Sequence, residues 1–240
     1  MIHTDVLIIG GGPSGLTAAK MTCEAHLSTI IIDRSHILGG QLTKQTHKFF
    51  GSKEQYAKQR GIDIATILHE NLQSFDHLTI MLESTVVGLY EDKVVTVLQR
   101  NEYKKISAKV IILATGASEK FLAFENNDLP QIMGAGALQT IVNQYQVIPG
   151  QSMVMIGSGN IGLIVSYQMM QAGIEVKAIV EANDCIGGYK VHASKLKRLG
   201  VDIKTRTTIK RAIGTDKLEA VELVQVDSNF KEIPGTSEII

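Results

Sequence analysis

Six residues near the N-terminus, Gly10-Gly-Gly-Pro-Ser-Gly15, have the spacing of a GxGxxG phosphate-binding turn. The first glycine permits a tight bend, the second lets the backbone approach a pyrophosphate, and the third allows a helix to pack closely. A helix that begins at the turn directs free N–H groups and its positive dipole end at the anion. An acidic residue, Asp33, follows Gly15 by eighteen positions. This is close to the spacing of ~20 residues at which a carboxylate accepts hydrogen bonds from the ribose hydroxyls. The pattern predicts dinucleotide binding, rather than a plain glycine-rich turn, by Gly10, Gly12, Pro13, Ser14, Gly15 and Asp33.

The same pattern occurs a second time, at Gly157-Ser-Gly-Asn-Ile-Gly162, with Glu181 nineteen positions after the last glycine. A carboxylate there accepts a hydrogen bond from a free ribose hydroxyl and repels a 2'-phosphate, which favours NAD(H) over NADP(H). Basic residues from Lys190 to Arg198 could clamp a phosphate, but their spacing better suits a solvated helix face. The predicted second site comprises Gly157, Gly159, Asn160, Ile161, Gly162 and Glu181.

The elements that position these residues also occur twice. Residues 6–16 superpose on residues 153–163 with all three motif glycines aligned, and the similarity continues for about 35 residues. Each copy begins with a short apolar run and a glycine turn. A helical pattern over 13–26 or 160–172 and a β-branched run follow. Each copy is therefore a predicted βαβ unit.

The remaining chain completes the same plan in each half. The first half predicts a polar helical stretch over about 53–75, then strands near 85–90, 93–98, 103–108 and 110–116. The second half predicts strands near 208–212 and 217–226 and another beginning near residue 238. The predicted fold class is α/β, with two Rossmann-like, three-layer ββα units in domains 1–118 and 119–240. By analogy with the first half, one more buried strand is expected after Ile240.

Composition excludes several function classes. Lys and Arg number 24 and Asp and Glu also 24, so no net positive field favours nucleic acid. The two cysteines, Cys23 and Cys185, are too far apart for a CxxC pair or a zinc cluster. The apolar runs are far shorter than a bilayer span. We therefore expect a cytoplasmic protein without nucleic-acid or membrane partners and without a metal site.

The combined motifs resemble the two-dinucleotide-binding-domain flavoproteins, the pyridine nucleotide-disulfide oxidoreductase-like superfamily. Both glycine turns with their acidic partners carry the resemblance, together with Gly39-Gly-Gln-Leu-Thr43 and Ala114-Thr-Gly116, and it covers nearly the whole chain. It implies FAD at the first motif and a nicotinamide nucleotide, NAD(H), at the second. It also implies that the second domain is inserted in the first, whose C-terminal part, with a Gly-Asp motif that touches the flavin, is absent from this sequence.

The resemblance adds further cofactor-binding residues. Gly40, Gln41 and Thr43 would lie beside the isoalloxazine, and Thr115 and Gly116 would form a turn against FAD. The backbone at Val86 would contact adenine, and Arg34 is included beside Asp33. Read from the sequence alone, Gln41 is equally well a loop residue and the strand before Thr115 simply a buried strand.

One departure narrows the resemblance. Thioredoxin reductases use a CxxC, and residues 131–140 contain no cysteine, so disulfide reduction is disfavoured. Residues 133–140 with the second turn look closer to the alpha-subunit type of sarcosine oxidase, opine oxidase and dye-linked proline dehydrogenase. That type implies an oligomer in which flavin exchanges electrons with dehydrogenase subunits or with another small-molecule or protein redox partner.

The resulting hypothesis is an FAD- and NAD(H)-dependent oxidoreductase in which NADH reduces the flavin, and the reverse direction is equally allowed. No catalytic side chain is assigned, and His47 and His192 are given no role. Two alternatives stay open: a noncatalytic nucleotide-binding subunit or fragment of a multi-subunit amine or amino-acid dehydrogenase, and a thiol-dependent reductase that uses Cys185.

Overall fold

The computed structural model describes residues 1–49 and 52–240. Contacts between residues divide the chain into two compact units, Met1–Ser118 and Glu119–Ile240. Each unit combines parallel strands, helices and an antiparallel meander. The predicted α/β class with two Rossmann-like units is confirmed.

The first unit contains one six-stranded sheet in the order β3-β2-β1-β6-β5-β4. Strands β3, β2, β1 and β6 are parallel, whereas β6, β5 and β4 form the antiparallel meander. The elements are β1 (Ile2–Ile9), α1 (Pro13–Glu24), β2 (Thr29–Ile32), α2 (Gly61–Glu70), β3 (Leu78–Met81), β4 (Ser84–Leu89), β5 (Val94–Gln99) and β6 (Glu102–Leu113).

Both faces of the sheet are buried along the second half of β1 and along β2, which explains why Val6–Ile9 and Ile30–Ile32 are continuous apolar runs. Alternate residues such as Val6 and Ile8 join a cluster with Leu16 and Ala19 of α1. The residues between them join a second cluster with apolar side chains of β5 and β6. The unit therefore has three layers: helices, parallel strands and meander.

Two predictions for the first unit need correction. The strands predicted near 103–108 and 110–116 are one continuous strand, β6, in which residues 102–107 pair with β5 and residues 106–113 pair with β1. The stretch 53–75 is not one helix, because Tyr56 and Lys58 have left-handed φ angles of +60° and +70°. It contains a short 3₁₀ turn, Lys53–Gln55, and then α2.

The second unit has a parallel sheet in the order β7-β8-β9 and an antiparallel sheet in the order β10-β11-β12. Apolar residues of α3, α4 and α5 cover the parallel sheet, and Val180 of β8 packs against residues of the antiparallel sheet. The elements are α3 (Ala135–Asn143), β7 (Ser152–Ile156), α4 (Asn160–Gln171), β8 (Glu175–Glu181), α5 (Lys190–Arg198), β9 (Asp202–Thr205), β10 (Thr207–Ile213), β11 (Ala220–Gln225) and β12 (Glu238–Ile239).

The βαβ units match the sequence prediction closely. The first helix ends at Glu24, two residues before His26, whose φ of +57° stops the helix. The second ends at Gln171, shortly before Gly173 with its φ of +88°. Within the described parts of the chain, no helix is both long and apolar enough to cross a membrane.

Candidate functional site

The first glycine turn begins where β1 ends. Gly10 has a φ of +110°, which residues with a side chain rarely adopt. A Cβ atom on Gly10 would also overlap with the carbonyl oxygen of Ala114, just after β6. A Cβ atom on Gly15 would overlap with the carbonyl oxygen of Gly10, so helix α1 starts in direct contact with the turn. Glycine is therefore required at both positions on steric grounds.

The N-terminus of α1 is open to an anion. Gly12 is the N-cap and makes no side-chain hydrogen bond, and Pro13 takes the first helical position. The first turn of the helix holds no acidic residue, so the N–H groups of Ser14 and Gly15 remain for a ligand. Next to them, a Cβ on Gly12 would have 3.9 Å to its nearest neighbour, the Cα atom of Gly40. This uncapped, uncrowded turn fits the pyrophosphate of a dinucleotide.

Asp33 lies at the end of β2 and faces the glycine turn. Its Oδ2 accepts a hydrogen bond from the N–H of Gly11 at 2.6 Å, and its Oδ1 accepts one from the N–H of Ser35 at 2.8 Å. An ionised carboxylate accepts about four hydrogen bonds. The half-buried Asp33 therefore keeps capacity for ribose hydroxyls.

The loop after β2 is attached to the same turn. The N–H of Gly39 donates to the carbonyl of Gly11 at 2.8 Å, and a Cβ on Gly40 would lie 2.9 Å from the Cα atom of Gly12. Gln41 is exposed on the 3₁₀ turn that follows, while the hydroxyl of Thr43 donates to the carbonyl of Gly40 at 2.8 Å. Gly40 and Gln41 are thus brought beside the turn, and the Thr43 hydroxyl is directed at the loop backbone.

The other residues predicted for the first site follow β6, follow β2 or lie in β4. Thr115 and Gly116 follow β6 and are exposed, with Gly116 in a left-handed conformation at φ +72°. Arg34 is exposed beside Asp33. The side chain of Val86 packs against the apolar cluster formed with β5 and β6. Val86 lies two residues after Ser84, the residue of β4 that contacts the end of β2.

Two residues that the sequence reasoning missed make that contact. The N–H of Glu83 donates to the carbonyl of Ser35 at 3.0 Å, and the N–H of Ser84 donates to the carbonyl of Asp33 at 2.9 Å. These two hydrogen bonds join the start of β4 to the backbone on either side of Arg34, next to the acidic residue. Glu83 and Ser84 come directly after β3, which pairs with β2, and this position was the signal that could have identified them.

The second glycine turn has the same frame. Gly157 has a φ of +95°, and its N–H donates to the carbonyl of Val180 at 2.8 Å. Gly159 is the N-cap of α4 without a side-chain hydrogen bond, and a Cβ on Gly162 would overlap with the carbonyl oxygen of Gly157. Ile161 is exposed in the first turn of α4. This turn also fits an anion at a helix N-terminus.

Glu181, at the end of β8, is held more tightly than Asp33. Its Oε2 accepts from the N–H of Ser158 at 3.0 Å and from its hydroxyl at 2.7 Å. Its Oε1 accepts from the N–H and from the side-chain amide of Asn183, at 3.0 and 2.8 Å. Burial raises the pKa of the Glu181 carboxyl, but the donors from Asn183 and Ser158 outweigh it, so the net pKa is lowered. The carboxylate is charged and fully hydrogen-bonded.

A glycine loop after β8 braces the second turn. The N–H of Gly187 donates to the hydroxyl of Ser158 at 3.1 Å, and the N–H of Gly188 donates to its carbonyl at 2.9 Å. The side-chain oxygen of Asn160 accepts from the N–H of Tyr189 at 2.8 Å. The Asn160 side chain thus holds Tyr189, the residue that precedes α5, and the backbone N–H of Asn160 remains for a ligand. Ser158 is the central residue of these contacts, and the motif spacing alone did not indicate it.

The basic helix α5 supports the solvated-face interpretation of its charges. The ammonium of Lys195 lies over the Tyr167 ring, 3.3 Å from the ring centroid, where it makes a cation–π contact. Lys190, Lys197 and Arg198 are exposed. Burial, followed by the charge of Lys195, lowers the pKa of His192.

The two cysteines lie in different environments. Cys23 is buried in α1, and burial raises the pKa of its thiol, which disfavours the thiolate. Cys185 is exposed, and both thiols are free. At the N-terminus of α3, the carboxylate of Glu119 accepts a hydrogen bond from the N–H of Gly136 at 2.9 Å, so this helix end is already occupied by an acidic side chain. Outside residues 50 and 51, no group of three or more His, Cys, Asp or Glu side chains could hold a metal ion.

Comparison with known proteins identifies the family. Residues 4–236 match the family described as pyridine nucleotide-disulphide oxidoreductase. The chain belongs to this family. The superfamily resemblance drawn from the two glycine motifs is therefore confirmed.

This pyridine nucleotide-disulphide oxidoreductase chain is similar to parts of larger proteins. It is 29% identical over 199 residues to sarcosine oxidase subunit alpha of Rhizobium meliloti (strain 1021), covering 77% of this chain and 20% of the relative. It is 28% identical over 242 residues to ferredoxin-NADP reductase 2 of Bacillus subtilis (strain 168), covering 98% and 71%. The crystal structure of L-proline dehydrogenase from P. horikoshii matches with a TM-score of 0.67 at 26% identity, covering 97% of this chain and 40% of that one. The chain therefore spans a fifth of the sarcosine oxidase relative.

Proposed function

We propose that this chain is an FAD-dependent oxidoreductase, or the nucleotide-binding part of one, that passes hydride or electrons between NAD(H), flavin and a further donor or acceptor. The observation that carries the proposal is the duplicated turn, which twice places a helix N-terminus beside an acidic residue, Asp33 or Glu181. Two such turns in one chain suit two dinucleotides. Membership of the pyridine nucleotide-disulphide oxidoreductase family supports the same chemistry.

The first unit is the proposed FAD-binding domain, over residues 1–118. The free N–H groups of Ser14 and Gly15 would donate to the pyrophosphate, and Asp33 would accept from the ribose. The Gly40–Thr43 loop and Thr115-Gly116 are proposed to lie along the flavin. Adenine is proposed to lie against the backbone of Val86. The hydrogen bonds that Glu83 and Ser84 make at the end of β2 support this, because they bring the start of β4 next to Asp33.

The second unit is the proposed NAD(H)-binding domain, over residues 119–240. The N-terminus of α4, from Asn160 to Gly162, would hold the pyrophosphate. The buried charge of Glu181 disfavours a 2'-phosphate, which supports NAD(H) over NADP(H). When bound, the two cofactors supply the hydride chemistry, and the protein supplies binding, orientation and exclusion of water.

A partner for the electrons is part of the proposal. The sarcosine oxidase relative is by name a subunit, and this chain covers 20% of it. We infer that the further donor or acceptor is a dehydrogenase subunit or another small-molecule or protein redox partner, within an oligomer. We also infer a reducing compartment, the cytoplasm, which is supported by the two free thiols, Cys23 and Cys185.

A noncatalytic, nucleotide-binding subunit is the second candidate. It is favoured by where the polar contacts concentrate: those around Asp33 and Glu181 serve the ADP half of a dinucleotide. Around the loop proposed to face the flavin ring, the Thr43 hydroxyl is directed at the backbone. Such a protein would bind ADP-type ligands without electron transfer.

The visible absorption spectrum of the purified protein separates these candidates. An oxidoreductase is expected to show a flavin band, with or without added FAD, that bleaches under anaerobic NADH more readily than under NADPH. A colourless protein that takes up no FAD, yet binds ADP, would establish the noncatalytic candidate. Faster bleaching by NADPH would contradict the NAD(H) preference alone.

The variant Cys185→Ser tests the thiol-dependent alternative. Because Cys185 is exposed and free, its replacement is expected to leave folding, FAD content and the rate of flavin bleaching by NADH unchanged. The matched control is Cys23→Ser, which buries a hydroxyl in α1 and should lower thermal stability without changing the bleaching of folded protein. Loss of electron transfer in Cys185→Ser, but not in Cys23→Ser, would instead support the thiol-dependent reductase.

A further inference from the structure

The two acidic residues share a backbone frame but not a side-chain environment. In the first unit, backbone N–H groups of Gly11 and Ser35 each donate to one oxygen of Asp33. In the second unit, backbone N–H groups of Ser158 and Asn183 donate to Glu181 in the corresponding way. The second unit then adds two side-chain donors, a hydroxyl and an amide.

These additional donors fill the acceptor capacity of Glu181. A carboxylate offers about four lone-pair positions, and four hydrogen bonds from Ser158 and Asn183 occupy them. Glu181 is also only 9% exposed. A ribose hydroxyl could reach its oxygens only by displacing a donor that is already in place, which costs a buried hydrogen bond.

The orientation of the Asn183 amide follows from the same contact. A carboxylate only accepts hydrogen bonds, so the amide nitrogen of Asn183 must face Glu181, at 2.8 Å. The carbonyl oxygen of the amide therefore points away from Glu181. Asn183 is exposed, and no other described residue makes a hydrogen bond to this oxygen. An acceptor is thus displayed at the end of β8.

The neighbouring backbone holds this acceptor in place. The carbonyl of Asn183 accepts from the N–H of Arg206 at 2.8 Å, just as the carbonyl of Ser35 accepts from Glu83 in the first unit. Backbone and side chain of Asn183 are therefore both fixed, at the position where the fold presents the adenosine ribose. A fixed acceptor loses little conformational entropy when a ligand hydroxyl binds.

We propose that the side-chain carbonyl oxygen of Asn183, and not the carboxylate of Glu181, accepts the 2'-hydroxyl of the adenosine ribose at the second site. Glu181 is a positioning residue that holds Asn183 and, through Ser158, the glycine turn. This inference rests on the proposed function, because it requires that the second unit binds a dinucleotide. It leaves the NAD(H) preference intact, since the buried charge of Glu181 still repels a 2'-phosphate.

Isothermal titration of the full chain with ADP and with 2'-deoxy-ADP, in the presence of saturating FAD, tests the proposal. The wild type is expected to bind 2'-deoxy-ADP about 3- to 10-fold more weakly than ADP, the effect of one hydrogen bond. In Asn183→Ala, ADP binding should fall by a similar factor and the two ligands should bind equally. In Glu181→Gln, both ligands should bind more weakly, while the preference for ADP persists.

The matched control is Ser35→Ala, at the corresponding position of the first unit, which should leave the ratio of the two affinities at its wild-type value. A general loss of structure would weaken both ligands alike, so the ratio separates ligand contact from folding. A ratio that persists in Asn183→Ala and vanishes in Glu181→Gln would overturn the inference and leave the proposed function standing. Folded wild-type protein that binds neither ligand would overturn both.

Discussion

The two glycine turns carry the same motif, but their surroundings constrain them differently. In the first unit, β1 pairs with β2 on one side and β6 on the other, so the Ala114 carbonyl lies against Gly10. In the second unit, a Cβ on Gly157 would meet nothing within 4 Å among the described residues. Glycine is thus needed for both backbone conformation and space at Gly10, and for conformation alone at Gly157.

At the second position of the motif, Gly11 in the first unit and Ser158 in the second, it is the second unit that has more contacts. Gly11 offers only its N–H to Asp33, whereas Ser158 is fully buried and connects Glu181 with the Gly187 loop. The first turn is therefore fixed mainly by strand packing, and the second by side-chain hydrogen bonds. The same motif is thus stabilised by different interactions in the two units, while the backbone keeps the same path.

The largest expected effect distinguishes the two turns by the same substitution. Gly10→Ala combines an unfavourable φ with overlap against Ala114, so we expect a loss of about 2–5 kcal/mol in the free energy of unfolding and no FAD uptake. Gly157→Ala meets only the unfavourable φ and should lose about 1–3 kcal/mol. Urea unfolding followed by circular dichroism measures both values.

A control for this pair is Gly116→Ala, which has a φ of +72° and open space but lies outside both motifs. It should resemble Gly157→Ala in stability. Equal losses for the Gly10 and Gly157 variants would show that the strand beside the first turn does not constrain it, and the comparison would fail.

Exchanging the second motif position gives a smaller effect. Ser158→Gly removes the hydroxyl that joins Glu181 to Gly187, at an expected cost of about 1–3 kcal/mol. Gly11→Ser would force the buried side chain of Leu38 to move, at a similar or smaller cost. Urea unfolding should show that each turn is destabilised by the other's residue.

The exposed Ser14 provides the control for this exchange, because Ser14→Ala removes a hydroxyl on the first turn of α1 and should change stability by less than about 0.5 kcal/mol. If Ser158→Gly were equally harmless, the hydroxyl of Ser158 would have no part in fixing the second turn.

The sequence predicted the βαβ units well because their signals are local. Helical periodicity, a glycine turn and a β-branched run lie within about 35 residues, and α1 and α4 begin at Pro13 and Asn160 as the motifs require. The union of two predicted strands into β6 was missed, because Lys109 interrupts the apolar pattern just after Ile106 and Ser107, where β6 pairs with both β5 and β1.

The candidate site was only half accessible to sequence reasoning. The spacing of Asp33 and Glu181 indicated an acidic residue at each strand end, but spacing cannot report how many donors surround a carboxylate. Ser158 looked like an unremarkable second position of the motif, and Asn183 lies in an ordinary loop. Their importance arises from contacts across 23 and 2 positions of the chain, which only the folded backbone brings together.

The smallest expected effect concerns pH and tests whether Glu181 is fixed by its donors. The pKa of Glu181 lies below its ordinary 4.5, because the donors from Asn183 and Ser158 outweigh burial. The unfolded carboxyl therefore binds protons more readily than the folded one. The stabilisation is present above pH 4.5 and is lost as the pH falls through the lower folded value. Urea unfolding of the wild type and of Glu181→Gln at successive pH values should show a shallower acid-side decline in the variant.

Glu222 provides a reference within the same unit, since hydrogen bonds from Lys210, Ser237 and Arg211 hold its pKa at about 2. Glu222→Gln should flatten the decline over a wider range, from about pH 4.5 down to about pH 2. Burial opposes the donors at Glu181, so its variant should flatten the decline less. An unchanged slope in Glu181→Gln would mean that the carboxylate gains nothing from its four donors.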